Sequence, residues 1–494
     1  MAQVLIGRER EQHILAQCLS SDMPEFIAIY GRRRVGKTFL VRTFFEGKDG
    51  VIFFDVMGAK ATPLKAQIRH FTKRLGEVFY RKARLVASKN WDETFEVLTE
   101  AIDESDPNQK VVLFFDEFPW MATHNSRLLQ TLDYYWNQYW SKNSRIKLII
   151  CGSSASWIID KIVNNKGGLH NRLTQHMFLE PFNLAQTKQF LKKQSIHLND
   201  KQILELFMAM GGVPYYLKKI EKHLSATQLI ERLAFKQKSF LLEEFDNLFS
   251  SLFNDAAAFV EIIKAIAAVR YGILQDTLLK KMGEALQGKG GIDQLKALQN
   301  ASFITSFRPH WHKRRGIYYR VIDEYCLFYF YWIEPVKNTL LKNSLLAGYW
   351  DKLKAKPNWH SWAGLAFEAI CYKHLPQITK ALALSPTAIP NTWRYTPQKG
   401  DDEQGVQIDL LFDRDDDAIT ICEIKYTDKP FVITKEYAGK LQKKVDVFKK
   451  VTRTTKQLFI ALITANGIKR NHYSDQLISG VVTMDDLFVE VEGM

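Results

Sequence analysis

Two groups of residues in this chain have the types and spacing to handle phosphate. The first is Gly31, Arg32, Arg33, Arg34, Val35, Gly36, Lys37 and Thr38, set between the apolar run FIAIY and the helix-like FLVRTFF. Glycines at both ends let backbone N–H groups wrap phosphate oxygens at a helix N-terminus. Lys37 has the reach for β and γ phosphates, and Thr38 offers a hydroxyl to magnesium. Arg32, Arg33 and Arg34, in the variable part of the loop, either stay solvated or add general attraction for phosphate. Strand, glycine loop, lysine and helix in this order make a Walker A loop and predict an ATP site.

Such a loop needs an acidic strand end to hold the metal and its water, and VVLFFDE supplies one. Asp116 is the expected Mg²⁺ position. Glu117 is the expected base or orienter of the attacking water. The next strand-like run, KLIICGSS, ends in Ser153 and Ser154, where a polar side chain could sense the γ phosphate or simply cap the turn. Arg172, in NRLTQHMFLEPF, is a candidate arginine finger, and equally suits a solvated face.

The second group is VQIDLLFDRDDDAITICEIKYT. A hairpin centred near Asp416 makes Asp409 and Glu423 cross-strand neighbours, and the two-residue strand period sets Glu423 and Lys425 on one face. A divalent cation, Mg²⁺ or Mn²⁺, would relieve the repulsion of Asp409 and Glu423 and activate water toward a phosphodiester, with Lys425 orienting the water or stabilising developing charge. An ordinary surface hairpin with a Glu–Lys pair has the same local pattern.

IGRERE, YGRRRVGKT, FFDEF, CGSS, NRLTQHMFLEPF and GGVPYYL together resemble the archaeal-type ATPase family, a STAND-like branch of the AAA+ ATPases also found in bacteria, over the first half of the chain. The resemblance implies that Gly211, Gly212, Pro214 and Tyr216 pack over the nucleotide as a sensor-2 region, although no arginine occupies that element here. It also implies nucleotide-dependent assembly, either as rings or as a resting monomer that oligomerises when triggered. The D-x13-E-x-K pattern resembles the PD-(D/E)XK nuclease superfamily, with Gln-Ile-Asp in place of Pro-Asp. That resemblance implies a further carboxylate from a preceding helix, where Glu368 stands in WAGLAFEAICYKHL.

Positioning these groups requires an α/β, multidomain chain. FIAIY, VIFFDV, VVLFFD and KLIICGS look like buried parallel strands separated by helix-length segments, giving a P-loop sheet over residues 1–182. Apolar positions at three- and four-residue spacing predict a helical lid over 183–250. Three helical segments and two short strands over 251–323 have the order of a winged helix-turn-helix, with GIDQLKALQNA as recognition helix. Its wing carries Arg308, His310, His312, Lys313, Arg314, Arg315 and Arg320, suited to phosphate, although such a module also serves as scaffold. The closely set pair His310 and His312 fits a loop better than one metal ion. A helical connector covers 324–357, and a restriction-endonuclease-like α/β domain covers 358–494. Its downstream helix is basic, with Lys435, Lys440, Lys443, Lys444, Lys449 and Lys450, as a DNA-facing or merely solvated surface.

Composition agrees with this division. A chain of 494 residues exceeds what one core supports, and its 46% apolar content is too high for a disordered chain. The formal charge of +14 points to a polyanionic partner, expected to be DNA. Five scattered cysteines argue against a disulfide framework or zinc site, and no apolar run has bilayer length. The expected protein is a cytoplasmic ATP-hydrolysing DNA binder that cleaves DNA under nucleotide control, or else an ATP-driven switch with an inactive nuclease-like domain. A protein-directed chaperone or signalling scaffold is the third class.

Overall fold

The computed structural model describes residues 5–491 except 124, 165–168, 170, 254, 284–288, 311–315, 344 and 398–404. His312, Lys313, Arg314 and Arg315 therefore lie outside the described residues. The chain divides into two compact units, Met1–Pro181 and Phe182–Met494.

In the first unit, β1 (Glu25–Tyr30), β2 (Val51–Met57), β3 (Lys110–Asp116), β4 (Ile146–Gly152) and β5 (Gln175–Phe178) form one parallel sheet in the order β2-β3-β4-β1-β5. The central strands read as unbroken apolar runs because both faces are covered. Phe26, Ala28, Leu113 and Phe115 join an aromatic core on one face, whereas Ile27, Ile29, Val112 and Phe114 join an aliphatic core on the other. Phe71 touches Trp91, Phe95 and Phe115 in the aromatic core. Burying each such side chain contributes on the order of 2 kcal/mol. β5 escapes pattern reading because it is a short edge strand with two exposed residues in QHMF.

The second unit begins with helices from Leu184–Lys193 to Phe240–Leu252. Helices Ala256–Ala267, Gln275–Lys281 and Lys289–Asn300 follow, with a three-stranded antiparallel sheet of β6 (Ile273–Leu274), β7 (Ile304–Phe307) and β8 (Tyr318–Val321) in the order β6-β8-β7. A helical stretch from Glu324 leads to the long helix Pro357–Lys373. The last sheet contains β9 (Ile389–Tyr395), β10 (Val406–Asp413) and β11 (Ala418–Lys425), joined antiparallel. A small parallel pair forms from β12 (Phe431–Val432) and β14 (Ile468–Lys469), while β13 (Gln457–Thr464) and β15 (Ile478–Val482) extend the main sheet in parallel beyond β11. Among the described residues no helix is long and apolar enough to cross a membrane.

These segments pack together as one unit through aromatic and polar seams. Phe235 stacks on Trp350 at 5.3 Å, and Phe328 meets both Trp350 and Trp362. Glu324, almost fully buried, accepts two hydrogen bonds from Lys373 at 2.7 and 2.8 Å. His374 is fully enclosed: its Nε2 accepts from the Leu184 N–H at 3.1 Å, and its Nδ1 lies 2.8 Å from the Ile370 carbonyl. This pairing suits the neutral imidazole, and burial pulls its pKa down to about 4.

The unfolded chain protonates this histidine near pH 6.5, before the folded one does. Its contribution is therefore complete above about pH 6.5 and drains away as pH falls toward 4. Between pH 7 and 5 the wild type should lose about 2 kcal/mol more stability than His374→Asn in urea unfolding; equal losses would refute this role for His374.

Candidate functional site

Strand order builds the first site. β4 lies between β1 and β3, so the C-terminal ends of three adjacent strands deliver the Gly31–Thr38 loop, Ser153 and the Asp116–Glu117 pair to one edge. Gly31 has φ of +147°, and a Cβ there would stand 2.4 Å from the Leu179 carbonyl oxygen, so only glycine fits. Gly36, at φ +97°, caps the helix Lys37–Phe45. Lys37 is buried and donates to the Gly31 and Arg32 carbonyls, each at 3.0 Å. Arg32 and Val35 are buried, and Arg33 and Arg34 are half-buried.

Thr38 Oγ1 donates to Asp116 Oδ2 at 2.7 Å. Burial pushes the Asp116 carboxyl upward, only partly countered by the Thr38 hydrogen bond. Two hard oxygens at this spacing fit a magnesium ion, which would relieve the cost of burying the carboxylate. Glu117 adopts a left-handed backbone, φ 46° and ψ 44°, which is strained for a residue with a Cβ. Its carboxylate accepts from Ser153 Oγ at 2.7 and 2.8 Å and from the Ser153 N–H at 3.1 Å. Gly58 permits this turn, since a Cβ there would lie 2.5 Å from the Glu117 carbonyl oxygen. Ser154 precedes the short helix Ala155–Ile158, and its backbone carbonyl accepts from the Ile158 N–H at 3.2 Å. Arg172 is exposed, and its backbone N–H donates to the Leu169 carbonyl at 3.3 Å.

Arg8, in the IGRERE segment, belongs to the site although its spacing gave no role to expect. Its guanidinium is buried and donates to the Glu180 carbonyl at 2.6 Å and the Val35 carbonyl at 3.3 Å, pinning the phosphate loop. The signal was present as an arginine after Gly7 and ahead of Glu9 and Glu11, upstream of a P-loop, but nothing local says where the guanidinium points.

Gly211, Gly212 and Tyr216 have packing partners inside the second unit. A Cβ on Gly212 would collide with the Phe182 carbonyl oxygen at 1.8 Å, and Tyr216 donates to Glu244 at 2.9 Å.

The second group of residues also converges. The β10–β11 register, Leu410 opposite Cys422 through Asp413 opposite Ile419, brings Asp409 and Glu423 to the same end of the hairpin. Asp409 Oδ2 accepts from the Ile424 N–H at 3.4 Å. Glu368 approaches from the helix Pro357–Lys373: the Tyr372 hydroxyl lies 2.9 Å from its Oε1 and 2.6 Å from the Asp409 carbonyl oxygen. Burial, with Asp409 nearby, pushes Glu368 up to about 7. Burial and then Glu423 push Asp409 upward as well.

Glu423 carries a larger ionic load than the spacing suggested. Its oxygens accept from Lys444 at 2.6 Å, Lys425 at 2.9 Å and Tyr437 at 2.8 Å. Burial raises its pKa, but the two lysines outweigh that and hold it below the usual range. Burial alone would lower Lys425, yet Glu423 raises it. Both Glu423 oxygens are engaged by ammonium groups, so a metal between Asp409 and Glu423 would have to displace Lys444. No group of three His, Cys, Asp or Glu among the described residues is set to hold an ion. Lys444 is correspondingly turned into the site rather than outward on a solvated or DNA-facing surface. Arg320 also turns inward, its guanidinium 3.9 Å from the Phe307 ring and 3.8 Å from the Tyr372 ring.

The first site, with its parallel sheet, defines a P-loop ATPase. Residues 5–220 match a family described as an ATPase domain predominantly from Archaea. The uncharacterized protein MJECL04 of Methanocaldococcus jannaschii is 25% identical over 430 residues, 86% of this chain and 88% of that protein, so the similarity extends beyond the ATPase domain. The Walker-type ATPase PABY2304 of Pyrococcus abyssi superposes with a TM-score of 0.46 at 16% identity, covering 68% of this chain and 96% of that one. The Aeropyrum pernix ORC2 protein, solved with ADPNP and ADP, gives 0.42 at 13% identity over 69% and 95%.

Lys37→Ala should weaken ATP binding by about tenfold or more and abolish turnover, since it removes a charge-assisted contact. Ser153→Ala should leave binding within about twofold and change turnover, since it releases Glu117 without touching the phosphate loop. Fluorescent-nucleotide titration and phosphate release report both; wild-type turnover in Lys37→Ala would refute the assignment.

Proposed function

We propose that this protein is an ATP-driven DNA-binding switch, in which nucleotide turnover at the P-loop controls a winged-helix and nuclease-like second unit. The observation that carries it is the hydrogen-bonded chain Thr38–Asp116–Glu117–Ser153 beside a buried Lys37. Lys37 exchanges the loop carbonyls for phosphate oxygens, and Glu117 orients the attacking water once Ser153 releases it. Magnesium held by Thr38 and Asp116 would neutralise charge on the β and γ phosphates. Arg172, exposed and outside the cluster, suits a finger offered to another copy or a protein partner.

Support for DNA is the +14 charge and the succession of three helices and a three-stranded antiparallel sheet, which is the order of a winged helix. The proposed division is lid 183–250, winged helix 251–323, connector 324–357 and nuclease-like domain 358–494, acting in the cytoplasm. Exposed Asp293, Lys296 and Gln299 line the outer face of the recognition helix. Affinity for a labelled duplex should fall at least tenfold between 50 and 200 mM salt, the slope reporting released counterions (about 10³ or more for six contacts). Salt-insensitive or absent binding would favour the protein-directed scaffold.

A second reading, metal-dependent DNA cleavage, is favoured by the convergence of Glu368, Asp409, Glu423 and Lys425. It requires Lys444 to leave Glu423. Nicking of supercoiled DNA with Mg²⁺ or Mn²⁺, with and without ATP, separates the two readings. Cutting that rises in Lys444→Ala and vanishes when Asp409→Ala is added establishes cleavage; none in any variant, with DNA still bound, leaves the switch.

A further inference from the structure

A cavity of about 550 Å³ opens in the second unit where β7 and β8 face β9, β10 and the helix Pro357–Lys373. Its walls are two ring pairs and two arginines. Phe307 and Tyr318 stack at 5.7 Å on one side, and Trp393 and Tyr395 lie nearly parallel at 6.4 Å on the other. Arg320, clamped between Phe307 and Tyr372, has a buried Nε with no acceptor among the described residues. Arg394, at the opening, is exposed and lies 5.9 Å from the Tyr271 ring. Gln407 and Thr392 add hydrogen-bonding side chains. Glu368 is the one carboxylate among the described lining residues, and the Asp409 backbone is reached from it through a single tyrosine hydroxyl.

We propose that this cavity receives one unpaired nucleotide of a single-stranded DNA segment, its base against the aromatic pairs and its phosphate toward Arg320 and Arg394. The inference rests on the DNA-binding reading above and narrows its substrate. Flat ring pairs match the π face of a base, which every base offers, and the volume lies in the range of sites that enclose a small organic ligand. A base inside duplex DNA is already stacked and cannot enter without leaving the helix. An unpaired end or flap enters at no such cost, and its backbone then passes beside the Glu368 and Asp409 cluster.

The test uses the full chain with fluorescein-labelled dT15, the matching 15-base-pair duplex and dTMP as competitor. The single strand should bind at least about tenfold tighter than the duplex. Tyr271→Ala and Arg394→Ala, both at exposed positions, should each weaken the single strand by about fivefold to a hundredfold while leaving the duplex within twofold. A 2-aminopurine placed in the strand should be quenched on binding by the wild type and not by Tyr271→Ala. Equal affinity for both DNAs, or variants that weaken both alike, would overturn the pocket while sparing the DNA-binding reading. Failure to bind either DNA would sink both. Tyr271-dependent binding of dTMP without binding of dT15 would mark a free-nucleotide pocket and overturn the proposal.

Discussion

The hydrogen bonds from Ser153 to Glu117 exist because β4 is inserted between β1 and β3. In a parallel sheet every strand delivers its C-terminal end to the same edge, so neighbouring strands place their following residues within side-chain reach. Here that edge holds a cation from the loop after β1, a hydroxyl from the end of β4 and two carboxylates from the end of β3. Glycines make the crowding possible: Gly31 lets the phosphate loop lie against Leu179, and Gly58 lets the strained Glu117 backbone turn. The chemistry follows from strand order, and strand order is held by two cores, aromatic on one face and aliphatic on the other.

The second unit solves a different electrostatic problem. Glu368, Asp409 and Glu423 are drawn out of water close together, where ionised carboxylates repel and lose hydration. Each is relieved in its own way. Glu423 stays charged against two ammonium groups and a phenol, while Glu368 sits beside Tyr372 with its proton affinity raised. Asp409 lies between these regimes, held by weaker backbone and amide contacts. One buried cluster therefore joins a carboxylate held charged by lysines to carboxyls whose proton affinity burial raises.

What could be read from the sequence was what local spacing encodes. The four long parallel strands, the loop Gly31–Thr38, the pair Asp116–Glu117 and the β10–β11 register all arise within segments of eight to twenty residues. Contacts made by side chains from far along the chain were not legible. Lys444 looked like one more cation on a basic helix, yet Tyr437, Leu441 and Lys444 recur at four and three residues, so they share the face turned toward Glu423. Arg320 looked like wing charge, and tertiary packing places it between two rings instead. The joining of residues 182–494 into one compact unit was not legible either. Residues of the second unit share buried aromatic and ionic seams such as Phe235–Trp350 and Lys373–Glu324, and such seams join residues more than a hundred or about fifty positions apart. Periodicity within one segment carries no trace of them.

Arg8 gives the first unit a mechanical property. One guanidinium grips the carbonyl of Val35 in the phosphate loop and the carbonyl of Glu180, two residues before the second unit begins at Phe182. The loop that meets the nucleotide and the peptide that leaves the unit are thus two arms of one rigid fork. A shift of the loop backbone and a shift of the peptide leaving the unit therefore load the same guanidinium.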